Sequence, residues 1–391
     1  MAKNAFLNKF KPKYYIGYAL ILAALIGAFI AQKLGALPMS TANLFVQIGY
    51  SIILATSLNL VVGFLGELSL GHAGFMCVGA YLGSYVAMQL IDKIPSKLVV
   101  LIISMLVGGL AAAFFGFIVG LPALRLKGDY LAIVTLAFGE IVRTVCKNLS
   151  VFGGAMGLST KTIKYDTRKD TTLYIVVFIV ALIVLFLIQN LIRSKHGRAI
   201  TAIRDNEIAA KAMGINVTFY KLLVFVIAAF FAGIAGVIYG HYTTPILYSA
   251  FSYNYSIEIL VMVVLGGMAS LNGSIVAAAL ITFVNFWLQK NLSGDAAAYK
   301  NLIYALILIF LIIFNNAPAF SKLKDKITPS AVMARRRAKK ADPSQITDDI
   351  ADWTVVPTKI KMDEILTTDI QPNGVYEPDK ADKPAKGGKS Q

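Results

Sequence analysis

Long stretches without one charged side chain constrain this sequence more than any other feature. Leu98 to Leu121, Leu173 to Ile192 and Leu222 to His241 are such runs, each near the roughly 20 apolar residues that a helix needs to cross a bilayer core. Hydrocarbon offers a backbone N–H or C=O no partner outside a helix or a closed barrel, so runs of this length predict an all-α, polytopic membrane helix bundle. The composition agrees: 57% of the residues are apolar and 15% charged, against roughly 25% charged in ordinary soluble domains, which excludes a soluble enzyme. The net charge of +16, from 37 basic and 21 acidic residues, would suggest nucleic acid in a soluble chain. Here the basic residues lie between apolar runs, so they read as membrane topology, and no nucleic-acid partner is expected.

Ten spans are expected, at Tyr14 to Ala31, Leu44 to Leu65, Leu68 to Leu90, Leu98 to Leu121, Tyr130 to Val145, Leu173 to Ile192, Leu222 to His241, Ile257 to Leu271, Ile275 to Leu288 and Leu302 to Phe314. The second and third share a turn of only Gly66-Glu67, and the last three are short, so one or two are expected to be broken or re-entrant. Lys3, Lys9, Lys11 and Lys13 before the first run resemble a signal peptide, but the run is long for one and lacks an A-x-A site, so it is read as a retained span. An even count puts both termini on one side. The positive-inside rule makes that side cytoplasmic, because the lysine-rich start matches Lys322, Lys324, Lys326 and Arg335 to Arg337 after the last span. The same count places the basic segment Arg193 to Lys221 inside, in a bacterial inner membrane. Lys147, Lys161, Lys164, Arg168 and Lys169 run against it, partly offset by Asp166 and Asp170. Residues 1–320 therefore read as the membrane domain. Residues 321–391, basic and then acidic with scattered Pro and Gly, read as a disordered cytoplasmic tail whose basic part can touch anionic lipid.

Polar residues at membrane depth mark where chemistry is to be sought. Asn59 to Phe75 holds Asn59, Gly66, Glu67, Ser69 and His72 among several glycines. It is either a broken helix beside a translocation path or an ordinary turn with close helix packing. Gly266, Gly267 and the residues to Gly273 form a second glycine-rich interruption, and two such interruptions in separate halves suggest a transporter around a central site, although no internal repeat is evident. Glu140 and Arg143, at i,i+3, are expected to form a structural ion pair. Glu258 has no partner close in sequence, so both a path role and simple solvation stay open. The i,i+4 glycine pairs Gly79/Gly83, Gly116/Gly120 and Gly236/Gly240 indicate close helix packing. Cys77 and Cys146 lie in apolar runs, and His72, His196 and His241 are not at ligand spacing, so neither a metal site nor a catalytic constellation is expected.

In the inner loop, Asp205 and Asn206 suit a helix N-cap, Glu207 the positive end of the helix and Gly214 a left-handed C-terminal cap. Ile208 and Met213, with Ala209 and Ala212, make a compact knob suited to a groove on a cytoplasmic partner, or to the lipid headgroups. Glu207-Ile208-Ala209-Ala210 followed by Gly214 resembles the E-A-A…G coupling motif of ABC importer permeases. Gly197-Arg198-Ala199 with Ala202-Ile203-Arg204 is similar to its setting in the LivM-type branched-chain amino-acid permeases. Gly66 to Tyr81, Leu124 to Leu136 and Leu265 to Gly273 also resemble that family, with Ala269 standing where the family tends to have glycine and a tail longer than the family norm.

The resemblance implies that Arg204, Asp205, Glu207, Ala209, Ala210 and Gly214 couple the chain to an ATPase. It also implies a homologous permease subunit, two ABC ATPase subunits and an extracytoplasmic substrate-binding protein as partners. No cofactor is expected on this chain: Gly388-Lys389-Ser390 has Lys383 where a P-loop needs glycine, so ATP would be used by partner subunits. Leu, Ile and Val are the substrates the family implies, with urea or short amides as the alternative. An ion-coupled secondary transporter using Glu67, Glu140 and Glu258 is the rival class.

Overall fold

The computed structural model describes residues 16–33, 39–123, 128–165 and 172–291, together with Leu306 and Ile309. The chain divides into two units, Met1–Ala317 and Pro318–Gln391. The expected tail and the expected tenth span, Leu302 to Phe314, lie outside the described residues apart from Leu306 and Ile309.

The described part of the first unit is helical. Helix α1 is Ile16–Lys33, and α2 is Met39–Asn59 continued by a π-helical segment, Leu60–Leu65. Helix α3 runs His72–Leu90 with its own π segment at Gly79–Gly83. Then come α4, Lys97–Ala123; α5, Asp129–Asn148; and α6, Thr172–Arg193. The loop helices α7, Lys195–Asp205, and α8, Glu207–Ala212, precede α9, Val217–Tyr242; α10, Tyr253–Gly266; and α11, Leu271–Asn291. Six of these helices are long and apolar enough to cross a membrane.

Burial sorts them by position. Of the apolar window of α2, 94% is buried, against 33% in α6, so α2 is the central strut and α6 a peripheral one. The face of α4 that carries Leu106, Leu110, Phe114 and Phe117 is exposed. That 4-4-3 spacing puts the four on one stripe, which suits acyl chains. The opposite face of α4 packs on α3 and α9 with backbone against backbone. A Cβ added at Gly79 would meet the carbonyl of Gly233, one at Gly236 the carbonyl of Met76, and one at Gly240 Oγ of Ser84. Glycine is required where chains approach this closely. Of the glycine pairs singled out in the sequence, Gly79/Gly83 and Gly236/Gly240 are thus contact points of the seam, and Gly116 of α4 meets the Ala229 side chain of α9.

Several boundaries differ from the sequence reading. The break between the second and third spans is Gly66–Gly71, longer than the two-residue turn expected, because Gly66 turns left-handed (φ 82°) and helix resumes only at His72. The eighth span stops at Gly266 and not at Leu271: Gly267 takes φ 90° and Ala269 φ 62°, which end a right-handed helix. Its 14 residues rise about 21 Å, short of the roughly 30 Å hydrocarbon thickness. The ninth is longer than expected, at 21 residues. In the inner loop, Asn206 alone is the cap, its Oδ1 accepting from the Ala209 N–H at 3.0 Å. Asp205 instead ends a separate helix, α7, which starts on Ser194, whose Oγ accepts from the His196 and Gly197 N–H groups.

Candidate functional site

Two polar centres stand at opposite ends of the bundle. The first joins the loop helices to the α2–α3 break. Asn216 caps α9 through the Phe219 N–H, and one turn later Lys221 points back beneath α8. Its Nζ lies 2.5 Å from Oε1 of Glu67 and 3.1 Å from Oε2 of Glu207. Lys221 is the single Lys, Arg, Asp or Glu that is buried among the described residues. A charge so placed is stable only with partners, and here the partners belong to two different elements.

Arg204 adds a second link. It donates to the Gly63 carbonyl at 3.2 Å and pairs with Asp205 at 2.9 Å. Its aliphatic stem lies over Gly66, where a Cβ would come within 2.7 Å of the Arg204 Cγ. Gly66 and Glu67, expected beside a path, are thus grouped with the loop residues Arg204, Asp205 and Glu207 around a cleft of about 610 Å³. Ile208, at the edge of the cleft, and Met213, beyond it, stand 80% and 82% exposed. Ala209 is exposed, Ala210 is buried, and Gly214 takes φ 82° with no atom near its missing Cβ.

Deeper in, the two glycine-rich interruptions meet at Asn59. Its Nδ2 donates to Oγ of Ser274 at 2.8 Å, and its Oδ1 accepts from the Ala269 N–H at 3.0 Å. Gly63 lies so close to Ala269 that a Cβ would meet its backbone, and Gly266 packs likewise on Gly273. His72 reaches Oγ of Ser57 at 2.8 Å, while Ser69 is buried nearby. Gly71 packs against the Thr135 carbonyl of α5. Gly267 contributes its left-handed turn to the same interruption.

Ala269 is the single described residue other than glycine with a positive φ. The left-handed region costs an L-residue about 1–2 kcal/mol, part of which glycine would return as chain entropy on folding. Ala269→Gly is therefore expected to stabilise the chain by about 1 kcal/mol, read as a higher unfolding midpoint of the purified protein. A lower midpoint would mean that the methyl group packs better than the backbone suffers.

The second centre is a cavity of about 320 Å³ between α2, α9, α10 and α11. Tyr50, Tyr239, Tyr242, Tyr255, Glu258 and Asn285 supply its polar wall. Asn285 donates to Oε1 of Glu258 at 3.2 Å, and Gln47 donates to the Tyr242 hydroxyl at 2.8 Å. Lys221 and Tyr239 lie on one helix 18 positions apart, which separates the two centres by about 27 Å along its axis, close to a bilayer core. Glu140 and Arg143 are paired at 2.6 Å away from both centres, and Glu140 also accepts from the Tyr253 N–H at the start of α10. Among the described residues no group of three or more His, Cys, Asp or Glu could hold a metal.

The sequence reading missed Lys221 and the tyrosines. A lysine one turn into an otherwise uncharged run was a signal for the first. For the cavity it was polar residues at i, i+3 and i+4 on apolar helices: Gln47, Tyr50 and Ser51, then Tyr239, Tyr242 and Thr243.

The family model described as "Branched-chain amino acid transport system / permease component" matches residues 40–312. The chain belongs to this family. It is 33% identical over 336 residues to the high-affinity branched-chain amino acid transport system permease protein LivM of Salmonella typhimurium, covering 78% of this chain and 74% of that one. A probable branched-chain amino acid transport permease protein LivM of Methanocaldococcus jannaschii is 31% identical over 268 residues, 60% of this chain and 77% of its own length. The ribose import permease protein RbsC of Escherichia coli is 27% identical over 146 residues, 36% of this chain and 44% of its own. This permease is a multi-pass membrane protein and a transport component rather than an enzyme. The family match spans both polar centres, including the loop helices of the first.

Proposed function

We propose that this permease is the membrane-spanning subunit of an ATP-driven importer for branched-chain amino acids or similar small solutes. It binds no cofactor of its own; two ATPase subunits grip the loop helices, a homologous permease completes the pore, and an extracytoplasmic binding protein delivers solute. The end carrying α7 and α8 faces the cytoplasm with both termini, and residues 321–391 form a tail outside the membrane domain.

One observation carries this reading: Ile208 on α8 and Met213 at its C-terminal end are both largely exposed, on a helix tied into the bundle by Glu207, Lys221 and Glu67. Large apolar side chains on a short, capped helix suit a groove on a partner. The buried lysine is what turns docking into work. When ATP closes the motor subunits, α8 moves, Lys221 passes the displacement to Glu67, and Arg204 passes it to the Gly63 carbonyl. Both contacts act on the segment that leads to Asn59, whose bonds to Ala269 and Ser274 hold the two interruptions together. A gate of this kind needs contacts that differ between its two states, and the Asn59 bonds are the ones placed to break.

Replacing Ile208 by aspartate tests the docking role without touching the core. It is expected to cost about 2 kcal/mol at the interface, roughly a thirtyfold loss of retained ATPase on co-purification, with normal insertion of the chain. Full retention of the ATPase would remove α8 from the interface.

A further inference from the structure

The chain holds two cysteines, Cys77 and Cys146, and neither the coupling cleft nor the tyrosine-lined cavity includes them. They stand on different helices, α3 and α5, and 69 positions separate them, yet the Cys77 thiol donates to Sγ of Cys146 at 3.8 Å. A buried residue touches about 6 to 12 others, so two cysteines placed at random in a chain this long would meet in about one case in 30 to 65. Both are free thiols. The pair is sealed from bulk water, with 0% and 5% of the two residues exposed.

Their place in the bundle decides what a bond between them would do. Gly128 and Asp129, at the start of α5, line the cleft that holds Glu67, Glu207 and Lys221. Cys146 lies 17 positions further along the same helix, about 26 Å away, so it sits toward the end that the importer reading turns away from the cytoplasm. In bacteria that is the side on which disulfides form and persist. Between the cleft and the thiols, α3 meets α5 backbone on backbone at two points: a Cβ on Gly71 would meet the Thr135 carbonyl, and one on Gly74 the Cα of Gly139. Contacts of this kind suit the small sliding of packed helices in shear motions. Helix α3 also begins at the break that the Glu67–Lys221 contact is proposed to move, and a covalent link at Cys77 would tie it to α5.

We propose that Cys77 and Cys146 are a modification site, oxidised by hydrogen peroxide to an internal disulfide that fixes α3 to α5 and arrests import until the bond is reduced. One sulfur attacks a peroxide oxygen and breaks the O–O bond; the departing hydroxide takes the thiol proton as water, and a sulfenic acid remains. The other sulfur attacks the sulfenic sulfur, and its proton leaves with that hydroxyl as a second water. Two thiols and one peroxide thus give one disulfide and two waters. Hydrogen peroxide is small and uncharged, which suits a pair too deep for a protein oxidant. The proposal rests on the importer function above and adds to it a means of regulation.

The test uses the complete complex with its ATPase subunits and binding protein in sealed vesicles. After unfolding in detergent, N-ethylmaleimide counts the free thiols of this chain by mass. Two caps are expected before hydrogen peroxide, none after it, and two again after dithiothreitol. Leucine uptake should fall as the caps disappear, about tenfold when nine-tenths of the complexes are oxidised, and dithiothreitol should restore it. The double variant Cys77→Ala/Cys146→Ala, assembled with the same partners, should keep its uptake in peroxide, which assigns the loss to this pair and not to thiols of the other subunits. Caps that survive peroxide, uptake that persists once the caps are gone, or equal inhibition of the double variant overturns the proposal. The cap count does not depend on transport, so absence of ATP-driven uptake before peroxide would overturn the importer reading, and the arrest with it, while the disulfide chemistry is still read.

Discussion

Lys221→Met is expected to leave the chain in the membrane yet stop transport. The substitution keeps an unbranched side chain only one atom shorter and removes its charge, so Glu67, with 13% of its side chain exposed, loses its partner at depth, while Glu207, 38% exposed, turns to water. Breaking a buried pair from one side costs about 3–5 kcal/mol, and the exposure of Glu207 puts the value near the lower end. More telling is the mechanical loss, because α8 and the α2–α3 break then share no ionic contact. Uptake should fall to background, and ATP hydrolysis should lose its response to loaded binding protein. Pairing the substitution with Glu67→Gln separates the two effects: the double variant regains stability because no charge is stranded, but its transport stays at background. Near-normal uptake in Lys221→Met would show that force passes elsewhere.

Gly236→Val is expected to be as severe for a different reason. The site on α9 faces the Met76 carbonyl and the Ala80 N–H of α3 without room for a Cβ, and a branched side chain would force the helices apart along the whole seam. Overpacking usually costs about 1–3 kcal/mol where side chains can yield, and here the obstacle is backbone, which yields least. The variant should be made but fail to assemble, read as loss of the monodisperse peak in detergent and degradation in the cell. Gly214→Val serves as a contrast, since nothing lies within 4 Å of that site although its φ is 82°; it should assemble, with the α8–α9 turn strained. A stable, monodisperse Gly236→Val protein would mean that the seam is looser than its geometry states.

The bundle was legible in the sequence because charge is excluded from lipid-spanning runs regardless of how those runs pack. Asn206, Glu207 and Gly214 were legible too, since caps and left-handed turns depend on residue type within a few positions. The meeting of Asn59 with Ala269 was not: the residues are 210 positions apart, and only packing brings the two interruptions together. Glu67 was misleading for a related reason. An acid in a glycine-rich break reads as membrane-embedded, while its partner Lys221 reads as the end of a loop, and neither segment alone tells that they meet. The cavity between α2, α9, α10 and α11 was hidden because tyrosine, glutamine and threonine scattered on apolar helices look like ordinary tolerance until several helices turn the same side inward.

The shortness of α10 has an electrical consequence. Its 14 residues rise about 21 Å, less than the roughly 30 Å of a hydrocarbon core, so beside it the transmembrane voltage would drop over a stretch shorter than the full bilayer. A cation crossing it would meet nearly the whole field in one step, worth about 2.3 kcal/mol for each 100 mV. A dipolar solute with no net charge would draw almost nothing from it, and so could not be accumulated by the membrane potential alone.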